Sequence, residues 1–89
     1  MNPKNRRPAH PGKILLLEFL RPLDISQTKL ARDLNIPVRS VNTLVNEKRG
    51  ITAKKAILLA RALKTTPEFW MSLQAAFDLS VARRKLAHA

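Results

Sequence analysis

Apolar positions recur every three or four residues along this chain and nowhere alternate convincingly, which is the period of helices packed on a shared core. Leu30 and Leu34, with small Ala31 beside them, mark one helix; Val38, Val41, Leu44 and Val45 mark the next; Ala56, Leu59, Ala60 and Leu63 mark another. Start and stop signals divide them. Pro22 ends a first helix over 12–21, and Ser26 caps a second that runs to 34. Pro37 opens a third over 38–45, Thr52 caps a fourth over 53–64, and Thr66-Pro67 starts a fifth over 67–85. The expected fold class is all-α, with five short helices and no internal repeat.

At ~100° per residue the first helix places Leu15, Leu16, Phe19, Leu20 and Leu23 on one face, and Leu17 falls off it. The fifth helix carries two apolar stripes. Trp70, Leu73, Phe77 and Val81 form one; Met71, Ala75, Leu79, Ala82 and Leu86 form a second on another side. A single stripe docks a terminal helix on its own domain. A second stripe asks for another neighbour, most simply a second copy of the chain, so Met71, Ala75, Leu79 and Ala82 are the expected homodimer contacts.

The stretch "LARDLNIPVRSVNTLVN" at 30–46 joins two of these helices by a tight break. Leu30 and Leu34 pack inward, and Ala31 lets the helices cross closely. Asn35 tolerates the left-handed backbone of the turn, Ile36 anchors it, and Val41 and Leu44 bury the inner side of the helix after the turn. This is a helix-turn-helix pattern, whose second helix is held proud of the domain and fits the DNA major groove. Val38, Arg39, Asn42 and Thr43 are the expected base readers. Arg39 suits guanine O6 and N7, Asn42 suits adenine, and Val38 and the Thr43 methyl suit a thymine methyl. Gln27, Ser40, Asn46, Lys48 and Arg49 are the expected phosphate contacts, with Lys13, Lys54 and Lys55 weaker candidates.

Composition sharpens this picture. Seventeen Lys and Arg against six Asp and Glu give +11 over 89 residues. The excess is spread along the chain and implies a polyanionic partner, double-stranded DNA above all. Residues 1–11, with Pro3, Pro8 and Pro11 among Lys4, Arg6 and Arg7, form an expected flexible basic arm before a single domain over 12–89. There is no cysteine, no apolar run near the ~20 residues that span a bilayer, and no signal peptide at the start, so a cytoplasmic, nucleoid-associated protein is expected. His10 falls in the arm and His88 at the end, the carboxylates are scattered singly, and no Gly-rich phosphate loop or metal-ligand cluster stands out. No enzyme activity, cofactor or metal is expected. Trp70 belongs to the core stripe.

Three stretches, "HPGKILLLEFLRPLDIS", "LVNEKRGITAKKAILLARAL" and "TTPEFWMSLQAAFDL", carry a resemblance to the HigA family of antitoxins, helix-turn-helix proteins of bacterial type II toxin–antitoxin modules. Together they span nearly all of residues 10 to 79, and Phe69-Trp70, Leu73-Gln74 and Asp78-Leu79 are its most specific parts. The resemblance implies a phage-repressor-like fold, a dimer, a cognate mRNA-endonuclease toxin that is blocked, and repression of the operon through a palindromic operator. It places Gln27, Val38, Arg39, Asn42, Thr43 and Lys48 on DNA. Glu47 departs from it, standing where the family usually has Gly after Asn, so the third helix needs Asn46 in the left-handed position to end well. A stand-alone, phage-type repressor with no toxin is the alternative.

Overall fold

The computed structural model describes residues 7–88, five helical elements in chain order with no strand among the described residues. α1 is α-helical over Pro11–Ile14 and continues as a π-helix over Leu15–Leu20; α2 spans Gln27–Leu34, α3 Val38–Val45, α4 Ala53–Leu63 and α5 Pro67–Ala87. Side-chain caps begin four of the five. His10 Nδ1 accepts from the Gly12 N–H ahead of Pro11, and Ser26, Thr52 and Thr66 accept from Lys29, Lys55 and Phe69 N–H.

The π winding of α1 corrects the regular helix expected there. The Arg21 N–H reaches back five residues to Leu16 O at 3.0 Å. Its cause lies in the run Leu15–Leu20. Leu15 and Leu20 are both fully buried, yet at ~100° per residue they would lie ~140° apart. The wider turn brings positions five apart to the same side. It also ends the helix at Leu20, so Leu23 leaves the face assigned to it and is exposed in the adjoining turn.

His10 and Pro11 are buried, so the expected arm boundary moves to before His10; residues 1–6 of that arm lie outside the described residues. His10 sits with its ring edge-on to Phe77 at 4.9 Å, a rigid neighbour that its place in the sequence did not suggest. Gly12 is required because α1 meets α3 backbone to backbone: a Cβ on Gly12 would lie 1.7 Å from Leu44 O. Trp70 is fully buried in the core as expected. It lies tilted against Phe19 and edge-on to Phe69, and its Nε1–H donates to Thr65 Oγ1 at 2.7 Å.

Among the described residues four take left-handed backbone, and none is glycine: Asp24, Asn35, Glu47 and Lys64, with φ of 56°, 57°, 62° and 57°. Each closes a helix by the same device. The next residue's N–H returns to a carbonyl five back: Ile25 to Leu20, Ile36 to Ala31, Lys48 to Thr43, and Thr65 to Ala60. Glu47, not Asn46, therefore takes the left-handed position at the end of α3. Asn46 stays at φ −85°. A left-handed L-residue costs ~1–2 kcal/mol, and glycine removes the cost while loosening the unfolded chain by somewhat less. Lys64→Gly is therefore expected to stabilise the fold by about 1 kcal/mol, raising Tm by roughly 4–8 °C in thermal unfolding followed by circular dichroism.

Candidate nucleic-acid interface

α2 and α3 meet where Ala31, buried and lacking bulk, lets them cross, while half-buried Ile36 pins the turn held open by left-handed Asn35. Pro37 stands at the N-cap of α3 and Val38 is first in the helix, the start expected from the sequence. No side chain caps that N-terminus. Its leading N–H groups and the positive end of its dipole are left to solvent or an anion. Gly12 and the core residues Val41, Leu44 and Val45 seat the opposite side of α3 on the domain.

The expected base readers share the outward side of α3. Val38 and Arg39 are exposed, and Asn42 and Thr43 are half-buried. Thr43 Oγ1 donates to Ser40 O at 3.1 Å, so its hydroxyl hydrogen is committed inside the helix. Asn42 Nδ2 donates to Gln27 Oε1, fifteen residues earlier at the start of α2. This bond joins two residues that sequence reasoning assigned separately, one to a base and one to a phosphate. It leaves Asn42 its carbonyl and a second N–H, the pair needed for adenine, and leaves the Gln27 amide N–H groups for a phosphate.

Asn46, Lys48 and Arg49 are exposed in the turn after α3, and Ser40 is half-buried on α3 itself. Sequence reasoning missed what fixes that turn. Gln74 on α5 accepts from Ile51 N–H at 2.6 Å and donates to Asp78 Oδ1 at 3.0 Å. A Cβ on Gly50 would come within 2.8 Å of the Gln74 side-chain amide, so a larger residue there would push Gln74 from its place beside Ile51. The Gln74 and Asp78 spacing of four was the available signal. Lys13 and Lys54 are exposed and Lys55 half-buried. Arg7 lies against the end of α5 rather than toward α3. Among the described residues the one ion pair is the exposed Lys29–Asp33, at 2.9 Å, so Arg39, Lys48 and Arg49 carry uncompensated charge. The second stripe of α5 is open: Met71, Ala75, Leu79 and Ala82 are all exposed.

A helix-turn-helix family model matches residues 16–70. The chain is 40% identical over 85 residues to antitoxin HigA-1 of Vibrio cholerae, covering 96% of this chain and 80% of that protein. The chain belongs to the helix-turn-helix family of HigA antitoxins. The chain is also similar to the Escherichia coli K12 protein YbaQ, an uncharacterized HTH-type transcriptional regulator, 44% identical over 79 residues, 89% of this chain and 70% of that one. The Pseudomonas aeruginosa antitoxin HigA, solved with the higBA promoter, superposes with a TM-score of 0.88 at 45% identity, covering 92% of this chain and 89% of that one. The five-helix, phage-repressor-like architecture expected of a HigA-family chain is the one found here.

Proposed function

We propose that this chain is the antitoxin of a type II toxin–antitoxin module: it represses its own operon by binding palindromic operator DNA through α3, and it neutralises a cognate toxin. The observation that carries the reading is the outward side of α3, with unpaired Arg39 beside the Asn42–Gln27 pair, in a chain so similar to an antitoxin solved with promoter DNA. Arg39, Val38, Asn42 and Thr43 read bases. Gln27, Ser40, Asn46, Lys48 and Arg49 hold phosphates. Residues 12–89, with buried His10 and Pro11 joined to them, form the DNA-binding unit and α5 its dimer contact through Met71, Ala75, Leu79 and Ala82. The protein works on the nucleoid in the cytoplasm, as a binder and not an enzyme. Among the described residues no helix is long and apolar enough to cross a membrane, and no His, Cys, Asp and Glu cluster has the makings of a metal site.

The test is a gel-shift on the chain's own upstream DNA. Arg39→Ala removes a bidentate base contact and is expected to weaken operator binding by roughly 5- to 150-fold, the equivalent of ~1–3 kcal/mol. Non-specific DNA should be held almost as before. In wild type, log K should fall against log salt by about 0.9 per phosphate contact. Binding indifferent to Arg39 would demote α3 to scaffold. The stand-alone repressor has its support in relatives such as YbaQ, a transcriptional regulator by name; co-purification with the product of an adjacent gene separates the two readings.

A further inference from the structure

The far end of α5 carries concentrated charge that the DNA interface does not use. Trp70, Leu73 and Phe77 pack inward on one stripe, against the aromatic cluster, the core and His10. At ~100° per residue that stripe runs on as Val81, Arg84 and His88, and there its character turns from apolar to basic. Arg7, arriving from the segment before α1, joins these residues. Between them lies an open groove of about 400 Å³, lined by Arg7, Val81, Arg84, Lys85 and His88.

Among the described residues no Asp or Glu lines this groove. The one acidic residue in the middle of α5, Asp78, is engaged by Gln74. Arg84 Nε is shielded from solvent and has no hydrogen-bond partner among the described residues, an arrangement that asks for an acceptor. The helix dipole accounts for cations in the last turn. It accounts neither for the unsatisfied Arg84 donor nor for Arg7 lining the same groove. Residues 1–6 of the sequence hold Lys4 and Arg6 and no Asp or Glu. A second copy belongs elsewhere, since the Met71–Leu79 stripe is centred ~140° around the helix. The first turn of α1 stands between this end of α5 and α3, with Gly12 on Leu44 and His10 on Phe77. A duplex on the outer side of α3 is therefore directed away from the groove.

We propose that this groove docks an acidic, partly apolar peptide segment of a protein partner. Carboxylates pair with Arg84, Lys85 and Arg7, and an apolar side chain rests on Val81. The inference goes beyond the operator-binding reading and holds whether or not that reading does.

Titration of the isotopically labelled full chain with a short peptide alternating glutamate and leucine tests it by NMR. Shifts should concentrate at Val81, Arg84, Lys85 and His88. Affinity should fall at least tenfold for Arg84→Gln/Lys85→Gln, and likewise for wild type with a peptide whose leucines are replaced by serine, which keeps the test open if the variant folds poorly. Operator affinity and its salt slope should be unchanged in the variant. No peptide binding, or binding spread over the basic surface and insensitive to both changes, overturns the proposal. So does a variant whose operator salt slope drops by about two contacts, which would assign the groove to DNA phosphate.

Discussion

Gly12→Ala is expected to unfold the protein, or to leave it so weakly folded that Tm falls by tens of degrees. The added methyl would sit 1.7 Å from the carbonyl oxygen of Leu44. No side-chain rotation relieves this clash, because the opposing atom is backbone within α3. Overpacking a core usually costs ~1–3 kcal/mol because neighbours shift. Here α1 and α3 would have to separate, opening the seat of Leu15 and Leu44, both buried. The loss should exceed that range and be a large part of the ~5–15 kcal/mol that holds a domain together. Circular dichroism and thermal unfolding of the variant check it; a Tm within a few degrees of wild type would mean that the two backbones do not touch. DNA binding should vanish with the fold, since Leu44 belongs to the helix that presents Arg39.

Leu79→Asp is expected to do the reverse, abolishing operator binding in a protein that still folds. Leu79 is half exposed in the single chain, so an aspartate there costs the monomer little. In the proposed dimer it would place two like charges in an apolar seam with no partner, which removes the association. An isologous dimer sets two recognition helices one DNA turn apart, about 34–36 Å, on a palindrome. A monomer keeps one half-site, and its affinity should drop by roughly 10³-fold or more, toward that of non-specific binding. Sedimentation should give monomer mass with unchanged helicity. A dimer mass identical to wild type would move the seam off this stripe.

Features resting on neighbours in the chain were readable in the sequence. Ser26, Thr52 and Thr66 announce their helices because a cap acts within three residues. Asn35 announces its turn because only a few residue types sit comfortably at positive φ. The inner and outer stripes of α5 come from period alone, and so do the residues that face outward on α3. What escaped depends on atoms far apart in the chain. Nothing near Gly12 reveals Leu44 O, nothing near His10 reveals Phe77, and Gln27 and Asn42 meet only after the turn has folded them together. Gln74 escaped for the same reason, being bound to a loop 23 residues away. The π turn escaped because it is a compromise between Leu15 and Leu20 that a fixed ~100° step does not contain. Glu47 escaped because the backbone bonds closing α3 select the position of the left-handed residue whatever side chain occupies it.

That Lys29 with Asp33 is the one ion pair among the described residues has a consequence for how the molecule responds to its medium. With +11 and so little internal compensation, the folded chain repels itself, and dissolved electrolyte relieves that repulsion. The same electrolyte competes with the protein for the counterion atmosphere of DNA. Sodium chloride thus steadies the unbound protein while loosening its hold on the operator. The duplex relieves the same repulsion when bound, so in a dilute medium the unbound fold weakens while the operator-bound protein is held more tightly.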